Sequence, residues 1–418
     1  MTYLASNSLL ASRQSAYREN HSVETVLLRV QNDLLLSLDS GNEALLVLLD
    51  LTSAFDTVDH QLLSRLEKCY GISGTAAKWF ESYLSGRKQQ VIIDGITSDP
   101  ALLRWGVPQR SVIGPLLFIC FTTLIQDIIH SHGFTSMMYA DDTQLYITVK
   151  PSEINHITQK LDICLQEIRL WMQHNFLFLN DSKMEILHLS SKFRKSNELL
   201  PISVNNTPVH CSKTVRNLGV ILDNHLSLRS HINTVCRKAS FALRRIGKVR
   251  RFFNKASTEI LIHSCVSSLL DTCNSLLIGI CDKDVNKLQR IQNSAARLVS
   301  LQKKCQHITP ILKDLHWLPV KFRIQFKIVL LTFKSLNDLS PEYLSDLVLQ
   351  YVPSKSLRSA SQNLLVAKRG RTKAYGDRAF THIAPFLWNS LPNSLRCISN
   401  IETFISELKT HLFKLAHQ

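Results

Sequence analysis

Apolar residues recur along this chain in two periods, and the switches between them mark its elements. Between Glu24 and Leu38 they fall at Val26, Leu27, Val30, Leu34 and Leu35, the stripe of an amphipathic helix, which Asp39-Ser40-Gly41 stops. Leu45 to Leu51 is unbroken apolar except for Asp50, so it predicts a core strand with a carboxylate at its end. An aspartate in such a setting is costly unless it is used. Leu62, Leu63, Leu66 and Tyr70 predict a helix, Gly71-Ile72-Ser73-Gly74 breaks it, and Trp79, Phe80 and Leu84 predict another. Val91 to Asp94 reads as a short strand closing at Gly95.

From Ser111 to Gln126 the chain is charge-free, but Gly114, Pro115 and two threonines interrupt it. It therefore falls short of a membrane span and predicts a buried strand or helix, with Pro115 near a helix start, where a missing N–H costs little. Met137 to Val149 predicts two strands with Asp141-Asp142 at the tip of their hairpin. Ile154, Ile157, Leu161, Leu165, Ile168 and Trp171 then mark a long amphipathic helix, and Phe176 to Leu189 returns to strand character. The order strand, helix, strand, strand, helix, strand is that of a split β-α-β, ferredoxin-like sheet.

Charge changes the picture further along. Asn224 to Thr258 contains no Asp or Glu, yet holds Arg229, Arg237, Lys238, Arg244, Arg245, Lys248, Arg250, Arg251 and Lys255. A helical stripe of one sign on this scale points to phosphate contact. Asp284 to Gln418 is helical in pattern with breaks near Pro310, Pro341, Pro353 and Pro385, and the polar, basic Ser354 to Arg371 reads as a linker or loop. The whole chain carries 49 Lys+Arg against 33 Asp+Glu, a net +16, and is 45% hydrophobic. That excludes wholesale disorder and predicts attraction to polyanions, for which nucleic acid or an anionic membrane surface would both fit. No apolar stretch follows a basic start at the N-terminus, and none of the ten cysteines is spaced C-x2-C. The expectation is an intracellular chain, nuclear or cytoplasmic, with reduced thiols and no zinc knuckle. His263 and Cys265 lie close together but lack partners at metal-ligand spacing.

Asp50 and Asp141 are 91 residues apart, but adjacent strands could unite them. Paired carboxylates are what nucleotidyl transfer needs: two cations about 3.5–4 Å apart, one activating a 3′-hydroxyl and one holding the triphosphate. A lone Asp-Asp pair is more often a solvated turn. Its company here is specific. LDLTSAFDTVDH (Leu49 to His60), GVPQRSVIGPLLF (Gly106 to Phe118) and YADDTQLY (Tyr139 to Tyr146) resemble, in order, motifs A, B and C of reverse transcriptases. LNDSKMEIL (Leu179 to Leu187) resembles motif D, and NLGVILD (Asn217 to Asp223) resembles motif E of the non-LTR retrotransposon enzymes of the LINE type, in the jockey and chicken-repeat lineage. QSAYRENHSVETVLL (Gln14 to Leu28) is similar to the family's fingers-to-palm segment. In the tail, LHWLPVKFRIQFKIVLL (Leu315 to Leu331) and APFLWNSLPNSLR (Ala384 to Arg396) resemble the same lineage.

The resemblance implies an α+β, right-hand polymerase. Residues 1–44 would be partial fingers, 45–225 a ferredoxin-like palm, 226–310 a basic helical thumb and 311–418 a mostly helical region of unknown role. It implies an RNA-directed DNA polymerase acting on an RNA template, a DNA primer and dNTP. Asp50, Asp141 and Asp142 would hold two Mg2+ ions, with Mn2+ as the alternative. Phe55 would be the gate against a ribose 2′-OH, with a core phenylalanine as the plain alternative. Gln109 would pack by the incoming nucleotide, Lys183 would be the acid for departing pyrophosphate, with a surface lysine as its alternative, and Arg18 would contact triphosphate. Arg237, Lys238, Arg244, Arg245, Lys248, Arg250 and Arg251 would grip the template–primer duplex.

Two departures matter. Arg110 stands where the family has the glycine after Gln109, and a bulky cation there opposes close backbone approach. The family's upstream endonuclease and first fingers motifs have no counterpart before Gln14, which predicts an N-terminally truncated copy. The competing reading is therefore a catalytically degenerate, nucleic-acid-binding remnant. Palm-type cyclases and RNA-dependent RNA polymerases share the paired aspartates but not the string around Phe55 and Gln109.

Overall fold

The computed structural model describes residues 2–52, 55–108, 111–193, 202–204, 207–353 and 362–418, and the fold mixes helix and sheet. Four strands, Glu43–Leu49, Thr135–Tyr139, Asp142–Val149 and Glu185–Leu189, share one sheet. Across it they run fourth, first, third, second in chain order. Leu45, Leu46 and Val47 of the first strand are all fully buried, so both faces of that strand are covered, as its continuous apolar run requires. The apolar run is shorter than it looks in sequence: it ends at Leu49, and Leu51–Thr52 leave the sheet to pair antiparallel with Phe178–Leu179. The expected strand near Val91 is one arm of a small hairpin, Ile92–Ile93 against Ile96–Thr97, turning through Asp94-Gly95.

The helix Ile154–His174 buries Ile157, Leu161, Cys164, Leu165 and Ile168 against the sheet's core. The charge-free segment forms the helices Gly114–Thr122 and Leu124–Ser131, with Pro115 in the first turn. Here composition misleads. Gly114–Ser131 does reach the length and apolarity of a membrane span, with a mean hydropathy of 1.3 over 18 residues, despite its glycine and threonines. Packing decides its use: 56% of it is buried, and Leu117, Phe118, Phe121, Ile125 and Ile129 join the same core as the sheet.

By contacts, the described residues of Met1–His21, Leu45–His188 and Asn197–Ser212 form one unit, and those of Ser22–Ala44, Leu189–Ser196 and Lys213–Gln418 another. The second unit holds the helix Val23–Asp39, which begins in a reciprocal cap: Thr25 N–H donates to Ser22 Oγ, and Ser22 N–H to Thr25 Oγ1. Residues distant in sequence close over it. Gln31 Nε2 donates to Leu276 O at 3.0 Å, and Asn32 Oδ1 accepts from Thr381 N–H at 3.0 Å. Asp39 at its end accepts from the N–H groups of Arg371 and Thr372 at 2.8 and 2.7 Å. The polar 354–371 stretch expected as a linker thus ends in an anchor, while 354–361 lie outside the described residues. A loop-like composition carries no trace of a carboxylate supplied from more than three hundred positions away.

The basic helix spans Arg229–Val249 and packs with Asp282–Ser300 around Ala239, Ile246, Ala295, Ala296 and Val299. The hairpin Thr214–Asn217 and Val220–Asp223 precedes it. Its two-residue turn, Leu218-Gly219, has φ of 45° and 90°, the doubly left-handed geometry in which glycine is favoured and leucine is strained. Asp223 then caps the approach to the helix, its carboxylate accepting from the N–H groups of His225, Ser227 and Leu228.

Candidate active site

The first unit brings the three aspartates to one end of the sheet. Asp50 follows the last residue of the Glu43–Leu49 strand. Asp141 and Asp142 come from the neighbouring hairpin, in which Tyr139 pairs with Asp142 so that only Ala140 and Asp141 make the turn. Their proximity is visible in their electrostatics. The Asp142 carboxyl is pushed above its ordinary range by desolvation and then by the charges of Asp141 and Asp50. Three hard oxygen donors that repel one another suit a hard divalent cation. Among the described residues no three or more His, Cys, Asp or Glu side chains form a ready-made metal cage.

Lys183 joins them. The backbone N–H of Asn180 donates to Asp50 O at 2.9 Å, and the one-turn helix Asp181–Lys183 that follows sets the Lys183 ammonium 3.2 Å from Asp50 Oδ2. The Lys183 side chain is 67% exposed and that of Asp50 33%, so the pair adds little to stability and remains open to exchange.

Two residues at this site carried no signal in the sequence pattern. Gln14 is buried, 1% exposed. Its Nε2 donates to Ala140 O at 3.1 Å, and its Oε1 accepts from Ala140 N–H at 3.0 Å and from Ala16 N–H at 3.0 Å. One side chain therefore holds both polar groups of the residue before Asp141. Ala140 needs holding, since its φ of 58° is a left-handed value at the first turn position, where glycine is the favoured residue. Residues 13–15 are themselves docked on the strand, with Ser15 N–H donating to Met138 O and Met138 N–H to Arg13 O. Tyr17 lies near Asp141: its phenol is pushed above its usual value by desolvation, then by Asp141 and Tyr139. Both residues stand in the Gln14 to Leu28 string, but neither lies on an apolar stripe that would have drawn attention to it.

Arg18 braces the same segment, its Nη1 donating to Ala11 O at 3.1 Å and Gln14 O at 3.0 Å. Phe55 is half-buried, its ring 4.8 Å from that of Phe118 between centroids. The stretch after it lies against Gly106-Val107: Val107 N–H donates to Phe55 O at 2.9 Å and Gly106 N–H to Val58 O at 2.8 Å. Gly106 has to be glycine, because its φ is 85° and a Cβ would stand 2.8 Å from Asp56 O. Gln109 and Arg110 lie outside the described residues.

In the second unit, Arg237, Lys238, Arg244, Arg245, Lys248 and Arg251 are exposed. Arg250 departs from that set. It is 8% exposed and donates to Leu298 O, Val299 O and Phe253 O, so it closes helix ends instead of facing solvent. Exposed Phe241 and Phe252 lie under Arg245 and Arg251 at 5.9 and 4.7 Å.

The sheet, its acidic turn and the segments around them correspond to a known class. The family model for reverse transcriptase (RNA-dependent DNA polymerase) matches residues 2–222, and the chain belongs to that family, whose members generally use divalent metal ions. Among its relatives are the probable RNA-directed DNA polymerase from transposon BS of Drosophila melanogaster, 26% identical over 70% of this chain and 33% of that protein. Others are the RNA-directed DNA polymerase from mobile element jockey of Drosophila funebris, 27% identical over 60% of this chain and 28% of that protein, and the probable RNA-directed DNA polymerase from transposon X-element of Drosophila melanogaster, 24% identical over 72% of this chain and 33% of that protein. These relatives mark a non-LTR, LINE-type reverse transcriptase. The chain spans about a third of the length of the curated relatives it matches. A solved structure of telomerase from Candida albicans with a TWJ fragment of telomeric RNA is similar at a TM-score of 0.39 and 12% identity, over 82% of this chain and 57% of that one.

Proposed function

We propose that this chain carries the polymerase centre of an RNA-directed DNA polymerase of a retrotransposon, extending a DNA primer with dNTP on an RNA template. The observation that carries the reading is the convergence of Asp50 with the Asp141-Asp142 turn at one end of the sheet, where desolvation, and then the charges of Asp141 and Asp50, raise the Asp142 carboxyl. The sheet order fourth, first, third, second is that of a ferredoxin-like palm, with the Arg229–Val249 region as thumb and the residues before the first strand as part of the fingers. Asp50, Asp141 and Asp142 would hold Mg2+, or Mn2+, which when bound supplies activation of the primer 3′-hydroxyl and charge neutralisation at the triphosphate. Lys183, already at Asp50, is the donor of a proton to departing pyrophosphate, as an ammonium can be while charge develops. Phe55 closes the sugar side of the nucleotide site, where bulk disfavours a 2′-hydroxyl, and Gln109 borders the same nucleotide. For Arg18 we assign the bracing of the loop that carries Gln14 in place of triphosphate contact.

A second reading, a nucleic-acid-binding remnant without turnover, is favoured by Arg110. Primer extension on a primed RNA with dNTP and Mg2+ separates the two, using the native chain, Arg110→Gly and Asp141→Ala. Incorporation by the native chain, lost in Asp141→Ala, is the expected result. Incorporation only after Arg110→Gly identifies a polymerase centre damaged at one position. Silence of all three, with salt-sensitive RNA binding intact, overturns the polymerase reading in favour of the remnant.

A further inference from the structure

In the first unit, Pro108, Ser111 and Gly114 are gathered around one hydroxyl. Ser111 Oγ donates to Pro108 O at 2.6 Å, accepts from Gly114 N–H at 3.0 Å and accepts from the phenol of Tyr83 at 2.7 Å. Ser111 N–H also donates to Pro108 O, at 3.3 Å. A serine hydroxyl has one proton and two lone pairs, so its capacity is fully used. Gly114 fits because it lacks a side chain: a Cβ there would stand 2.8 Å from Ser111 Oγ and 3.1 Å from Pro108 O. It opens the helix Gly114–Thr122, whose Phe118 packs on Phe55. One hydroxyl therefore joins Pro108 to the start of a core helix.

Tyr83 is the member of this network that comes from elsewhere in the chain, from the helix Gly74–Leu84, 28 residues before Ser111. Its ring lies nearly parallel to that of Trp79, 5.6 Å between centroids and 8° between planes. The Arg87 guanidinium is 5.2 Å from the centroid of the Tyr83 ring, and Arg87 Nε donates to Tyr83 O at 2.8 Å. These contacts fix the ring, and with it the direction of the phenol. On the other flank, Val107 N–H donates to Phe55 O and Gly106 N–H to Val58 O. Pro108 and Ser111, which flank Gln109 and Arg110 in sequence, are thus held from two sides: by the backbone of the segment after Asp50 and by Tyr83.

We infer that Tyr83 is a positioning residue for the incoming nucleotide: through Ser111 it holds the span that begins at Pro108, and so sets the affinity for dNTP without touching it. The inference rests on the polymerase reading, in which Gln109 borders the nucleotide. Anchoring its own helix does not require the hydroxyl. The Tyr83 ring packs against the apolar core of the first unit, and a phenylalanine would do the same. What the hydroxyl adds is a hydrogen bond to the one side chain that closes the loop. Because that bond runs to Ser111 and not to an aspartate, its loss falls on nucleotide binding and leaves the carboxylates as they are.

The test uses the full chain, native and Arg110→Gly, on a primed RNA whose next template base is uridine and whose primer ends in a dideoxynucleotide. Fluorescent mant-dATP with Mg2+ is the probe, so nucleotide affinity is read without turnover. Tyr83→Phe removes the hydroxyl and keeps the stacked ring. It is expected to raise Kd for mant-dATP about fivefold, the scale of one lost hydrogen bond, and to leave affinity for the primed RNA unchanged. Hydrogen exchange should quicken in peptides covering 111–117 and stay the same in the Ile154–His174 helix. Ser111→Ala should weaken nucleotide binding at least as much, and adding Tyr83→Phe to it should change nothing further, because the two side chains act as one unit. A tyrosine that only stabilised its helix would add its effect to that of Ser111→Ala. Unchanged Kd in Tyr83→Phe, additive losses in the double variant, or exchange quickened throughout the chain would overturn the assignment. If neither the native chain nor Arg110→Gly binds mant-dATP, the polymerase reading fails and this inference with it. If either binds and Tyr83→Phe binds equally well, this inference alone fails.

Discussion

Ala140 and Gln14 make the acidic turn what it is. The alanine occupies a left-handed position that glycine would fill more easily, and the buried glutamine satisfies both its N–H and its C=O. The orientation of Asp141 is thereby tied to a side chain 127 positions earlier in the chain. Gln14→Met keeps the volume but strips the turn of its partners, leaving three buried backbone groups unpaired, Ala140 N–H, Ala140 C=O and Ala16 N–H. It should lower stability by about 1–3 kcal/mol in denaturant unfolding. Among molecules that remain folded it should lower kcat for dNTP incorporation while leaving KM for dNTP nearly unchanged, since Gln14 touches the carboxylate turn and not the nucleotide. A parallel loss in both parameters would mean that Gln14 acts on nucleotide binding instead. Nothing in the sequence pattern marks this glutamine, because its partner is a backbone peptide and backbone groups leave no imprint on residue identity.

At the scale of elements, the hairpin ending at Asp223 and the helix beginning at Arg229 are locked together by polar contacts. Asp223 caps the approach to the helix, and Ile221 N–H donates to Nδ1 of His231, which is buried in the first turn. Desolvation, and then the charge of Lys238, hold His231 below the ordinary histidine value. The unfolded chain therefore takes up this proton first as pH falls. The stability it supports is complete above about pH 6.5 and declines as pH falls from there towards the native value. His21, His130 and His411 are lowered by desolvation as well and act with the same sign. Urea unfolding at about pH 7 and about pH 5 should show this loss, and His231→Asn, whose amide oxygen can replace Nδ1 as acceptor, should shrink it. An equal loss in the variant would assign the acid sensitivity to the other histidines. The helix itself was legible from its period, but its basic stripe overstated the solvent-facing set. Arg250 reads like its neighbours in sequence and turns inward, because the last turn of the helix leaves its side chain beside the free carbonyls of Leu298 and Val299.

Across the whole molecule the net charge of +16 becomes a surface only where folding exposes it. Six of the seven cations expected to grip a duplex are exposed. Replacing two of them, Arg244→Ala/Arg245→Ala, should weaken binding to a primed RNA duplex uniformly across sequences and flatten the slope of log K against log salt by about 1.8. Arg250→Ala should leave that slope alone and destabilise the protein, and a change in slope instead would return Arg250 to the binding surface. The sequence by itself determined the alternating elements, the aspartates at a strand end and a hairpin tip, and the family. These rest on local periodicity and on short ordered strings, which survive without knowledge of contacts. Only the tertiary structure decided that Gln14 holds the acidic turn, that Lys183 reaches Asp50, and that the Val23–Asp39 helix is sealed by residues such as Leu276 and Thr381. It likewise decided that the most apolar helical stretch is core. The reason is common to all of these. Each depends on which distant atoms come within hydrogen-bond or van der Waals reach, and that is settled by packing, not by the period of the chain.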